Sequence, residues 1–185
     1  MADELAGRRI AFLVAPEGAE QVELTEPWDA VRKAGGQPHL VSTQDGTVQA
    51  FQHLDRGDTF PVDRVVADTG AADYDGLVLP GGVANPDFLR TDPDAVEFVR
   101  GFCAAGKPVA VICHGPWTLI EADAVRGKRI TSWPSLQTDL RNAGADWVDE
   151  EVVVDGGLVS SRKPDDLPAF CAALVQEFAA QTQHV

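Results

Sequence analysis

Residues 107–120 read KPVAVICHGPWTLI, and the reading of this stretch decides the fold. Val109–Ile112 is an apolar run of strand length with no polar alternation, the pattern of a strand covered on both faces in a parallel sheet. Gly115 to Ala122 then reads as a helix, with Pro116 early in it, where a missing N–H costs nothing. Between them stand a thiol and an imidazole, Cys113 and His114. A strand that turns sharply into a helix exposes the side chain at the turn, as a nucleophile elbow does.

Working outward, the same strand-then-helix order recurs. Ile10–Ala15 is a first buried strand, and the following segment, ending EPWDAVRKAGG, has helical spacing closed by a glycine pair. His39–Ser42 reads as a short strand; Gly46–Gln52 and Arg64–Ala67 read as edge strands around a polar loop. Gly76–Leu79 is another apolar strand and stops at Pro80-Gly81-Gly82. Asp92-Pro93 opens a helix with Val96, Val99 and Cys103 on one face. Arg129–Ser132 is a strand, Ser135–Ala143 a helix, and VVVDGGLVSS (152–161) a hairpin about Asp155-Gly156-Gly157. The last helix keeps Leu167, Phe170, Cys171, Leu174, Val175 and Phe178 at helical spacing. The series predicts one domain over residues 1–185, a three-layer doubly wound α/β sandwich with a mostly parallel sheet and an added hairpin. Ligands of such folds sit at the carboxyl ends of the strands.

The totals narrow the function. A net charge of −14, with no Lys/Arg cluster, opposes nucleic acid and anionic membranes as partners. The start, MADELAGRRIAFLVAP, fits a first strand rather than a signal peptide or a spanning helix, so a cytoplasmic location is expected. Three cysteines without framework spacing point to reduced thiols. Cys103 and Cys171 fall on apolar helical stripes and read as small buried hydrophobes. Cys113, at the carboxyl end of a central strand and beside a helix N-terminus, is expected to be a reactive thiolate of lowered pKa.

A nucleophile needs a proton acceptor or charge partner and donors for the oxyanion it creates. Glu17, Glu20 and Glu23, after the first strand, lie at another carboxyl end; Glu23 or Glu20 beside the thiol would be protonated and share its proton, although acids also merely favour helix starts. Gly81 and Gly82, with the His114 amide, offer backbone donors for an oxyanion hole, although Pro-Gly-Gly is also a plain turn. His114 is a candidate general base, but neighbours on a turn point apart, so a direct contact with the Cys113 sulfur is not expected. His39, His53 and His184 have no supporting context. No metal spacing and no phosphate-binding glycine loop appear, so no metal and no cofactor are expected.

VICHGPWTLIEA, LVLPGG followed by ANPDFLR, the stretch from ITSWPSLQTDLRNAGADWVDEE to KPDDLPAF, and the early EGAEQVEL resemble the PfpI intracellular-protease branch of the DJ-1/PfpI superfamily, especially its bacterial general stress protein group. The resemblance implies a flavodoxin-like sandwich with Cys113 as the reactive cysteine, Glu23 hydrogen-bonded to it and Glu20 nearby. It implies that His114 takes an acidic partner from a neighbouring subunit, falling at Asp87 where protease-like relatives carry glutamate. A homodimer or larger homo-oligomer with the site near the interface follows. Trp133 stands where those relatives have tyrosine, and Trp117 adds bulk at the same mouth; the two wall a small pocket or pack at a subunit interface. The implied activity is cofactor-independent stress-response chemistry of the cysteine, on glyoxals, glycation adducts or peptides, with an aldehyde suited better than a peptide. The alternative is a non-catalytic stress protein, an oxidant sensor or a holder of unfolded clients. A glutaminase of the amidotransferase type lacks its late His-x-Glu pair, since His184 is the one histidine after residue 114.

Overall fold

A computed structural model describes residues 3–181; His184 lies outside them. In chain order the elements are β1 (Arg9–Leu13), β2 (Glu17–Glu20), α1 (Gln21–Lys33), β3 (Gln37–Ser42), β4 (Thr47–Gln52), β5 (Asp55–Pro61), β6 (Arg64–Val65), β7 (Gly76–Leu79), α2 (Ala84–Leu89), α3 (Pro93–Ala104), β8 (Val109–Ile112), α4 (Pro116–Glu121), β9 (Arg129–Ile130), α5 (Gln137–Asn142), β10 (Asp146–Trp147), β11 (Val152–Asp155), β12 (Leu158–Ser161) and α6 (Leu167–Ala180).

The main sheet has seven strands in the order β11-β12-β8-β7-β1-β3-β6. All neighbours in it are parallel except β11, which pairs antiparallel with β12. The expected hairpin therefore forms at the sheet's edge, its two-residue turn made by Gly156 and Gly157, both with positive φ. Period-2 alternation splits the central strands between two cores. Ala11, Leu13, Leu77, Leu79, Val109 and Val111 face a core filled by Val96, Val99 and Phe102 of α3 and Leu119 of α4. Ile10, Phe12, Val78, Ala110 and Ile112 face the opposite core, filled by Leu24 and Val31 of α1 and Phe170, Leu174 and Phe178 of α6. Helices thus cover both faces, which is why the strands carry no polar alternation. No helix of the described residues is long and apolar enough to cross a membrane.

Four details differ from the sequence reading. The segment 46–52 does not border the main sheet: β4 pairs with β2 and β5 in a separate three-stranded sheet, and β5, DRGDTFP, lies inside what reads as a polar loop. β2, α2 and β10 carry no signal of their own in the sequence, because each is short and set by its neighbours, β10 pairing with β9 in a two-stranded sheet apart from the main one. Cys103 is exposed, since Phe102, one position earlier, takes the buried place on α3. Cys171 is only partly buried, at the edge of the α6 stripe.

Candidate active site at the β8 elbow

β8 ends at Ile112, and Cys113 follows with φ at +63°, a left-handed conformation that a non-glycine residue adopts at a cost. The elbow is held from both sides: the Cys113 N–H donates to Ser161 O at 3.1 Å, and its carbonyl accepts the Trp133 N–H at 2.9 Å. Gly115 completes the turn because a side chain there would press on Leu79 O at 2.8 Å and Ile112 O at 3.0 Å. The sulfur thus stands where the sequence puts it, at the carboxyl end of a central strand. Cys113 retains 7% exposure, so it is recessed and not sealed.

The twist that exposes Cys113 also overturns the expectation about its neighbour. Cys113 Sγ lies 3.2 Å from His114 Nδ1. A left-handed residue breaks the ordinary divergence of consecutive side chains, and that signal is absent from the residue order. Burial pushes the His114 pKa below its usual value, so the imidazole is neutral near pH 7 and Nδ1 can accept the thiol proton when the other nitrogen carries its hydrogen. The ring lies between two indoles: Trp133 stacks on it at 5.8 Å between centroids, and Trp117 meets it edge-on at 5.2 Å. Trp117 is itself fixed, its N–H donating to Asp139 Oδ2 at 3.0 Å and its face covered by the Arg90 guanidinium at 5.5 Å. Sequence reasoning missed Asp139 and Arg90, which carry no motif of their own.

Glu23 comes from the first turn of α1 and has no exposure at all. Burial first, and the nearby Glu20 charge second, push its pKa up to about 8; the Cys113 thiol and the Gly82 N–H pull the other way. Neither Glu23 oxygen finds a hydrogen bond of full geometry, so these two neighbours act at close range without satisfying the carboxyl, and burial prevails. Of the two acids expected to share a proton with the thiol, Glu23 is the one held protonated at neutral pH. Glu20, half-buried, is spent on the His53 backbone N–H at 3.0 Å and acts on Glu23 through its charge.

The thiol does not follow the expectation of a lowered pKa. Burial, then the Glu23 charge, push the Cys113 pKa up, while the Gly82 and His114 N–H groups lower it only in part. α4 has six residues, too short a helix for its dipole, typically ~0.3–1 kcal/mol at exposed sites, to outweigh desolvation. The two amides facing the sulfur, of Gly82 and His114, are two of the three expected as oxyanion donors; Gly81 acts instead through its missing side chain. Gly81 makes this approach possible: a Cβ there would stand 2.6 Å from Cys113 Cβ and 2.9 Å from Glu23 Oε1. Gly82 takes φ +81°.

Asp87 stands apart from this group within the chain; the role implied for it is toward His114 of a neighbouring subunit. It lies exposed on α2, along an open groove of about 890 Å³ with Arg90, Arg100 and Glu121. The walls of that groove contain neither Cys113 nor Glu23.

Residues 8–177 match the DJ-1/PfpI family. The chain is 43% identical to protein/nucleic acid deglycase 2 of Escherichia coli (strain K12) over 164 residues, 88% of this chain and 93% of that one. It is 42% identical to general stress protein 18 of Bacillus subtilis (strain 168) over 166 residues, 89% and 94% of the two chains. Among solved structures, Drosophila melanogaster DJ-1beta superposes with a TM-score of 0.84 at 27% identity, over 93% of this chain and 90% of that one.

Proposed function

The chain belongs to the DJ-1/PfpI family, and on that premise we propose that it is a stress-response enzyme whose Cys113 attacks glyoxals and early glycation adducts without a cofactor. The observation that carries the reading is the contact of Cys113 Sγ with His114 Nδ1 at 3.2 Å, above a buried Glu23 that holds its proton at neutral pH. Relatives named deglycase and general stress protein support the class of activity. The indoles crowding His114 favour a small carbonyl substrate over a peptide.

The chemistry proceeds by base-assisted attack, because the thiol is held protonated. As sulfur bonds to the aldehyde carbon, His114 Nδ1 takes the thiol proton, and the Gly82 and His114 N–H groups hold the oxyanion. The imidazolium returns that proton and a hemithioacetal forms. The proton on the former aldehyde carbon then passes to a base, His114 or ionised Glu23, while the adjacent carbonyl oxygen takes a proton, giving an enediol. Return of a proton to the adjacent carbon, with loss of the O–H proton from the sulfur-bearing carbon, leaves a thioester. Water hydrolyses the thioester, which releases a 2-hydroxy acid and restores the thiol. The sequence is a net hydration with internal redox, so no external oxidant or reductant enters. On a hemiaminal of a glyoxal with an amine, the C–S bond forms and the C–N bond breaks at the same carbon, the thiol proton passing through His114 to the leaving amine, and the same hemithioacetal results. A group ionising near pH 8 is matched to giving up and regaining a proton at working pH.

The test is carbon-13 NMR of labelled methylglyoxal with the wild-type protein, beside the methylglyoxal adduct of N-acetyllysine and a fluorogenic peptide. Lactate is expected from both carbonyl substrates, with peptide cleavage at least about a hundred-fold slower (a difference of ~2.7 kcal/mol in barrier). Peptide cleavage outrunning lactate formation, or no lactate above the buffer blank, would sink the reading.

A further inference from the structure

Asn85 takes no part in the chemistry described above, yet it has no exposed surface and its three side-chain hydrogen bonds all go to backbone. Its Oδ1 accepts the Ala15 N–H at 2.7 Å, and its Nδ2 donates to Pro80 O at 3.0 Å and Gly81 O at 3.1 Å. Ala15 begins the loop that leads to Glu20 and Glu23; Pro80 and Gly81 form the turn pressed against Cys113. One side chain therefore ties together the two loops that bring the acid and the amide donor to the sulfur. The fit leaves no slack: a Cβ on Gly18, in the first of these loops, would stand 2.6 Å from both Ala84 Cβ and Asn85 N. The Glu20 N–H also reaches Gly81 O, at 3.4 Å.

We propose that Asn85 is a positioning residue that aims the Gly82 N–H at Cys113 by fixing the Gly81 carbonyl. The mechanism is peptide planarity. Gly81 C=O and Gly82 N–H belong to one rigid unit and point in opposite directions, so holding the oxygen sets the direction of the hydrogen. Glycine on both sides of that unit gives the backbone unusual freedom to rotate, and only the groups gripping the oxygen restrict it. Without Asn85, the buried Pro80 and Gly81 carbonyls would swing in search of partners, since an unpaired buried carbonyl is costly. The Gly82 N–H would swing with them, away from the sulfur.

The inference rests on Cys113 being the reacting group, but its test needs no turnover, so its failure is distinguishable from failure of the proposed activity. Alkylation of Cys113 by iodoacetamide is followed against pH by peptide mass spectrometry in wild type, Asn85→Ala and Lys107→Met. Lys107 is the control because its Nζ donates to two carbonyls, Ala71 O and Tyr74 O, both at 2.7 Å, away from the elbow. Asn85→Ala is expected to shift the Cys113 profile upward by about half to one pH unit, a three- to ten-fold slower alkylation at a given pH. Lys107→Met is expected to lower the melting temperature and leave that profile in place. Should Asn85→Ala not fold, Asn85→Ser, which removes less volume, decides by the same readout. A Cys113 profile unmoved in the folded Asn85 variant, or moved equally by Lys107→Met, would overturn the proposal.

Discussion

Glu23 shows how one buried carboxyl sets the protonation of a site. With no solvent contact and Glu20 at hand, it stays protonated up to about pH 8 in the folded chain, while in the unfolded chain it ionises near 4.5. The folded state therefore binds the extra proton between these values, and stability from this group is lost as pH rises through the window. Glu23→Gln, which keeps the shape and cannot ionise, is expected to gain on wild type as pH rises, by on the order of 3–5 kcal/mol at pH 8 and little at pH 4.5. Urea unfolding at the two pH values measures it; an equal difference at both would show that the carboxyl ionises normally. The residue order made Cys113 legible, with Glu20 or Glu23 and the Gly81, Gly82 and His114 amides as candidates beside it, because a thiol after a buried strand and acids after another must meet at the carboxyl ends of a parallel sheet; the choice of Glu23 comes from the family resemblance. The residue order did not reveal the contact with His114 or the raised thiol pKa. The first depends on the left-handed φ of Cys113 and the second on depth of burial, and neither is written in the spacing of residues.

At the scale of elements, the site is two loops and an elbow brought into contact by glycines. The Pro80-Gly81-Gly82 turn after β7 fits only because Gly81 has no side chain: a Cβ would meet Cys113 Cβ at 2.6 Å and the Ile112 carbonyl at 2.9 Å, both anchored atoms. Gly81→Ala is expected to destabilise by about 1–3 kcal/mol, the usual cost of overpacking. It should slow Cys113 alkylation as well. Gly70→Ala, where an added Cβ meets nothing within 4 Å, serves as the comparison and is expected to stay within about 0.5 kcal/mol of wild type. Denaturation curves check both, and a Gly81→Ala protein as stable and reactive as wild type would show that the turn is free to withdraw. The apolar run of β8, the helical stripe of α6 and the alternation about two glycines in the β11–β12 hairpin could be read directly. β2, β5 and α2 could not, since β5 alternates poorly and takes its conformation from pairing with β4, with an irregularity in register between Gln49 and Phe51.

For the whole molecule, the parallel sheet gathers the carboxyl ends of β1, β7, β8 and β12 on one side, and the residues of the candidate site fall there from four separate stretches of chain. Glu23 follows β1, Gly81 and Gly82 follow β7, Cys113 and His114 follow β8, and Ser161 of β12 anchors the elbow. The other two thiols lie on helices away from those strand ends, Cys103 on α3 and Cys171 on α6. This separation makes the most direct measurement a comparison of the three cysteines within one protein. Lactate formation from methylglyoxal is measured for Cys113→Ser, Cys103→Ser and Cys171→Ser. A fall of at least about a thousand-fold is expected for the first, as for removal of a nucleophile, with the other two within a few-fold of wild type. Turnover that survives in Cys113→Ser, or that is lost instead with Cys103 or Cys171, would contradict the account.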